Sequence, residues 1–316
     1  MSGMAVEDES VHPGTSLTFH PDFANKQTGD IILCSDDDQS FCFSLSHLAA
    51  LSSFFSTLPP PSGGDLVDGT PLIPLQGATS LGLAMALDAI RSTLSFEPYR
   101  YPISIKSAAE AERAVLAAAV IARKYDLPIV LRLLHEAVAR LGRHAMLSSP
   151  SYSYLIFAIW AIGDVESQLP FAASQTRESG EIAISCVSSR IVRMCKDHAP
   201  RHWMQLLEFH LRHAQAVQRF RQEMVDLDVS MKPYHVPTAA KPCGAGYGWR
   251  QVVWGVHARL TDLTTMEEVA GICNDSWGID ICDHCRSGAN QRYDPLVERM
   301  EDYATAYILD SSWDEM

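Results

Sequence analysis

Apolar residues follow two periods along this chain, and the switch between them marks its first folded stretch. From Gly29 to Leu58 the sequence reads GDIILCSDDDQSFCFSLSHLAALSSFFSTL. Ile31, Ile32 and Leu33 form an apolar run of strand length. Asp36, Asp37 and Asp38 predict a turn, because short acidic side chains hydrogen-bond to their own backbone. Phe41 and Phe43 alternate with polar or small neighbours, the pattern of a half-buried hairpin partner. The period then lengthens. Leu48, Leu51 and Phe55 fall about a helical turn apart on one predicted helix, with Ser44 or Ser46 as its N-cap.

The rest of the chain reads mostly as helix. Residues 1–23 are polar and are expected to form a flexible N-terminal tail, with Phe19 and Phe23 tucked against the domain edge. Pro59 to Pro71 is a proline- and glycine-rich loop, and Leu72 to Leu75 predicts an edge strand because Pro74 lies inside it. Thr79 or Ser80 caps a buried helix through Leu81, Met85, Leu87 and Ile90. Ser107 to Lys124 is a strong helix with Val115, Ala118, Ala119 and Ala122 on one face. Pro128 opens the next helix, and Gly142 is its stop. Residues 143–230 form a helical region in which Pro150, Pro170 and Pro200 mark breaks. Within it, Tyr152 to Ile162 is apolar at nearly every position, a further helix is expected over Ile182–Cys195, and another over Trp203–Met224. Residues 231–316 are irregular, rich in proline, glycine, cysteine and tryptophan, with one short helix predicted over Thr264–Ala270.

Composition narrows the function classes. At 316 residues and 47% hydrophobic, the chain has enough apolar surface for a sizeable core and length for two domains with a small third piece. A formal net charge of -13 argues against a phosphate backbone as main partner, so nucleic acid is not expected. Glu7, Asp8 and Glu9 near the start fit neither a signal nor a transit peptide. The most apolar run, Tyr154 to Gly163, is about half the length a membrane span needs. Eight cysteines in so long a chain are no disulfide scaffold. An intracellular location is the expectation, with nucleus and cytoplasm both open.

The order of these elements carries a resemblance. Asp30, Ser35, Asp37 (or Asp38) and Phe41, then Leu48, Ser52 and Phe55, then Pro74 and Leu75, then the Ile121 to Pro128 stretch resemble the BTB (POZ) domain in the form common in basidiomycete fungi. The resemblance covers about residues 24–142. It implies an α+β fold, a small sheet wrapped by helices, followed here by the helical region and the irregular cysteine-containing segment. It also implies self-association or the holding of a protein partner. Two departures bear on the partner. Ser44 and Leu45 stand where the family usually has a histidine-lysine pair, and Met85–Ser92 replaces its usual helix. Both weaken the implied recruitment of the cullin-3 ubiquitin ligase scaffold.

Candidate chemistry lies mainly in the last segment. Cys282 and Cys285 form a C-x-x-C knuckle, and with Cys243 and Cys273 they make four thiolates, enough for a tetrahedral structural zinc. His257 is an alternative ligand, and His284 a weaker one because it lies inside the turn. Ordinary reduced cysteines and a redox pair are the competing readings. Asp36–Asp38 read as a solvated turn, His210 and His213 as packing or surface residues, and Ser52 as a buried hydroxyl bonded to backbone. Gly244, Gly246 and Gly248 lack the strand and helix that flank a dinucleotide loop. The acidic stretch Glu298–Met316, with Tyr303, Tyr307, Ile308, Leu309 and Trp313, reads as a packed segment or a docking peptide.

The expected function is therefore a non-enzymatic protein-interaction module acting as scaffold or adaptor. A substrate adaptor for a cullin-type ligase and a transcription-associated regulator are the alternatives. The expected docking surface is a patch around Leu45, His47 and Leu48, or near Phe54.

Overall fold

The computed structural model describes residues 17–25, 29–59, 66–93, 107–143, 151–178 and 187–230. Two compact units divide the chain, residues 1–134 and 135–316.

The first unit has an α+β architecture. Its strands are β1 (Thr18–Phe19), β2 (Ile31–Cys34), β3 (Gln39–Phe43), β4 (Leu66–Val67) and β5 (Thr70–Pro74). They form one mixed sheet in the order β1-β3-β2-β5-β4. The β2–β3 and β4–β5 pairs are antiparallel, and the β1–β3 and β2–β5 pairs are parallel. Ile31, Ile32 and Leu33 are all buried, as a continuous apolar run requires of a central strand. Thr18–Phe19 belong to the sheet, and a 3-10 turn at Pro21–Phe23 seats Phe23 in the core beside Phe41 and Phe43.

Two expectations for the sheet are corrected. β3 is buried on both faces, not one, since Ser40, Phe41, Cys42 and Phe43 all lie below the surface. His20 stacks on Phe41 at 5.1 Å and helps cover one face. β5 is not an edge strand but lies between β2 and β4. Pro74 is tolerated there because it ends the strand, and β4 pairs only with Thr70 and Pro71. The neighbouring Leu75 N–H supplies the bond to the Cys34 carbonyl at 2.8 Å.

Helices α1 (Leu45–Leu51) and α2 (Ser53–Ser56) replace the single helix that the periodicity predicts. The break is Ser52, whose backbone is extended at φ -142°. Its hydroxyl donates to the Tyr125 carbonyl at 2.6 Å and accepts from the Phe55 N–H at 3.2 Å, so a buried serine outcompetes the helical ladder. Leu48 and Phe55 still join Phe41 among the buried residues of this unit, while Leu51 is half-buried.

α3 (Ser80–Ser92) and α4 (Ala108–Lys124) pack closely. Gly82 permits the approach: a Cβ there would lie 2.7 Å from the Ala117 Cβ. Thr79 and Ser107 cap the two helices through bonds to Gly82 N–H and Glu110 N–H. α4 ends as Leu127 N–H reaches the Ala122 carbonyl at 2.7 Å and Asp126 takes the left-handed conformation at φ 49°. Pro128 then opens α5 (Pro128–Arg143), as the sequence predicts.

The second unit is helical in its described part: α6 (Ser151–Gly163), α7 (Leu169–Glu178), α8 (Ser189–His198) and α9 (Pro200–Ser230). Residues 154–162 of α6 are all buried, matching a helix that is apolar all round. It packs against α7 and α8, and α9 packs against both of those. α9 begins and ends beyond the expected Trp203–Met224, because Pro200 suits a first helical position and terminates nothing behind it. α8 starts at Ser189 with Ser188 as its cap, later than the expected Ile182. Residues 182–186 lie outside the described residues.

Candidate protein-interaction surface

Two carboxylates hold the starts of α1 and α2, and two more hold the entry of α3. Asp30 accepts the Leu45 N–H at 2.6 Å and so caps α1, leaving the Ser44 hydroxyl to bond with the Ser46 hydroxyl at 2.9 Å. Asp126 reaches back from the end of α4 to the Ser53 N–H and hydroxyl at the start of α2. Asp36 accepts the Gly77 N–H at 2.7 Å, where φ is 75°. Asp37 accepts both the Ser80 N–H at 2.8 Å and its hydroxyl at 2.5 Å. Burial raises the Asp37 pKa, but the bonds from Ser80, Ser35 and the backbone outweigh it, and the net shift is downward. Asp36–Asp38 form the exposed turn that the sequence predicts, and two of its carboxylates also bond to the chain. Asp38 makes the turn at φ 59°, while the other two fasten the β2–β3 hairpin to the entry of α3.

Tyr125 is the hub behind this surface. Its hydroxyl donates to the Gln76 carbonyl at 2.8 Å, and Lys124 donates to the same oxygen at 2.6 Å. Burial, and then the charge on Asp36, push the Tyr125 phenol up to about 12. Its ring meets Phe54 edge-on at 5.0 Å, and Phe54 meets Phe55 at 5.1 Å and 87°. Phe55 is buried, yet Phe54 keeps 36% of its surface in solvent. Of the other residues expected in a docking patch, His47 is exposed and Leu45 half-buried, but Leu48 is buried, which corrects its expected place in that patch. From Ser44 to Pro59 the chain carries no Asp, Glu, Lys or Arg, although such residues make up 20% of the whole. The α1–α2 segment itself is therefore uncharged and hydroxyl-rich, with one exposed aromatic ring and with the Asp30 and Asp126 carboxylates at its edge.

The remaining candidates sort as follows. Ser52 is the buried, backbone-bonded hydroxyl expected of it. His213 is buried, and His210 stacks on Tyr154 and meets the Thr176 hydroxyl at 3.0 Å, so both pack the second unit. Cys34, Cys42 and Cys195 are in no disulfide, and burial pushes Cys195 up to about 12. Cys243, Cys273, Cys282 and Cys285 lie outside the described residues, as do His257, His284, Gly244–Gly248, Thr264–Ala270 and Glu298–Met316. Among the described residues no cluster of His, Cys, Asp and Glu is placed to hold a metal. No helix among them is long and apolar enough to cross a membrane.

Sequence reasoning missed the roles of Asp30 and Asp126. The signal for Asp126 was a helix followed by Tyr-Asp-Leu-Pro, an aspartate standing where a helix stop usually has glycine. What the fold defines is an α+β unit joined in sequence to a helical one. No protein-family model matches this chain, and neither the curated proteins nor the solved structures hold a match to it.

Proposed function

We propose that residues 24–142 form a BTB-like module that binds protein, foremost a second copy of itself, through the α1–α2 face. The observation that carries the reading is the uncharged exposed surface of residues 44–59 with Phe54 at its centre. Interface cores are depleted in charge and enriched in aromatic rings, and a ring already held by two neighbours gives up little freedom on contact. The polar groups around it support a binding role over a chemical one. Ser52, Asp30, Asp37 and Asp126 are each committed to a backbone group or a serine hydroxyl of the scaffold. The module is thus a rigid platform. Scaffold or adaptor work follows, and a structural zinc held by Cys243, Cys273, Cys282 and Cys285 stays part of the proposal.

Light scattering across a concentration series tests it. The wild-type protein is expected to gain mass with concentration, and Phe54→Glu to remain a folded monomer with a cooperative melt, somewhat lowered by the loss of the Phe55 and Tyr125 ring contacts. A wild-type protein that stays monomeric, or a Phe54→Glu variant that associates equally well, would overturn the reading. Metal analysis of the same sample reports on zinc.

A further inference from the structure

The strongest unexplained surface lies around the junction of α8 and α9. Residues 187–213 carry five Lys or Arg (Arg190, Arg193, Lys196, Arg201, Arg212) against Asp197 and Glu208, in a chain of net charge -13. Arg193 and Lys196 are exposed and lie three residues apart on α8, hence on one face. α9 begins at Pro200, directly after Ala199, and its own outward side presents Arg201 and Met204 three residues apart. Met204 is 62% exposed and Leu211, seven residues on along the same face, is 58% exposed. On α9 the basic Arg201 thus stands one turn from the exposed Met204, and α8, which packs against α9, exposes Arg193 and Lys196. Two of these cations have carboxylate partners on the chain: Arg201 meets Glu166 at 3.8 Å, and Arg212 meets Glu208 at 2.5 Å.

We propose that this α8–α9 face is the docking site for the segment Glu298–Met316 of the same chain. That segment has six acidic residues (Glu298, Glu301, Asp302, Asp310, Asp314, Glu315) against one Arg299, and it interleaves them with Tyr303, Tyr307, Ile308, Leu309 and Trp313. Its composition is the complement of the face: carboxylates for Arg193 and Lys196, and apolar side chains for Met204 and Leu211. Exposed ion pairs are individually weak and salt-sensitive, so several must act together with apolar burial. Tethering on one chain raises the effective concentration and makes weak contacts sufficient.

The test uses the full chain and trace chymotrypsin at low ionic strength, with intact mass reporting cleavage after Tyr303 and Tyr307. Proteolysis follows the population of the undocked state. Slow cleavage is expected in the wild type. Arg193→Glu with Lys196→Glu is expected to accelerate it about tenfold, and added salt to act in the same direction. Changing Glu301, Asp302, Asp310 and Asp314 to Lys is likewise expected to accelerate cleavage. Combining both sets of changes is expected to restore slow cleavage, a result that misfolding cannot produce. Cleavage indifferent to the α8 reversal, or no restoration in the combined variant, overturns the proposal. Wild-type protection that grows with protein concentration overturns it in favour of a second copy on the face.

Discussion

The two units solve one local problem with the same residue and then use it differently. Each ends a helix on an aspartate in the left-handed conformation: Asp126 after α4, at φ 49°, and Asp164 after α6, at φ 59°. Each closes that helix with a long-range turn bond, from Leu127 N–H to the Ala122 carbonyl and from Val165 N–H to the Trp160 carbonyl. Glycine would adopt this conformation without strain, so the side chain must return something. In the first unit the Asp126 carboxylate holds the Ser53 N–H and hydroxyl. In the second, Asp164 holds the buried imidazole of His202 at 2.8 Å, whose other nitrogen meets Gln205 at 3.0 Å. The first unit fastens side chain to backbone across distant sequence. The second fastens helix to helix through histidines, His202 to α6 and His210 to Tyr154 and Thr176. The lesson is that the same helix cap serves a loop-to-helix tie in one unit and a helix-to-helix tie in the other, according to its partner.

The largest effects should fall in the cores. Phe41→Ala in the first unit and Trp203→Ala in the second should each cost about 3–5 kcal/mol. Hydrogen exchange should place each loss in the unit that carries the substitution. Ser52→Ala should come next, at about 1–3 kcal/mol by denaturant titration, because it leaves the buried Tyr125 carbonyl without its donor and α2 without its cap. An equal loss from Ser56→Ala, an exposed serine of α2 that bonds locally to the Ser53 carbonyl, would erase the distinction drawn for Ser52.

Changing Asp126 or Asp164 to Ala and to Gly separates the strain from the tie. The Ala variants should lie below the Gly variants by about 1 kcal/mol, the cost of the left-handed backbone. The Gly variants report the tie alone, and Asp164→Gly should lose more than Asp126→Gly because it uncovers a buried imidazole. Equal Gly losses would break the comparison between the units.

The smallest effects are those of pH, and they differ in window. Asp37 has a folded-state pKa below its ordinary value of 3.8. Its stabilisation is complete above that value and is lost as pH falls through the folded one. Asp37→Asn should flatten the acid limb of the first unit. Burial pushes His135 down from 6.5, with Glu136 opposing it, so the unfolded chain binds the proton first. Stability of the second unit should fall as pH drops below 6.5, down to the folded value, and His135→Gln should remove that slope. Thermal melts at closely spaced pH values check both.

What the sequence made legible was chemistry that acts over a few residues. The Thr79 and Ser107 caps, Pro128 at a helix start and the apolar run of α6 all depend on neighbours close in sequence. What it hid depends on partners far along the chain. The period of Leu48, Leu51 and Phe55 is unbroken, yet the helix breaks because Ser52 bonds a carbonyl 73 residues away. The Asp36–Asp38 triplet reads as a turn by itself, and only the folded sheet brings Gly77 and Ser80 to it. The second buried face of β3 needs Phe23, which lies in a stretch that reads as tail. The exposed ring of Phe54 is among the residues the sequence offers for a patch, whereas Leu48, one helix earlier, faces inward as its place on the apolar side requires.

The central claim is that the α1–α2 face is where the first unit meets protein. Hydrogen exchange of the wild-type chain at low and high concentration tests it most directly. Protection of residues 45–57 should increase with concentration while α6 remains unchanged. A face whose exchange is the same at both concentrations would contradict the account.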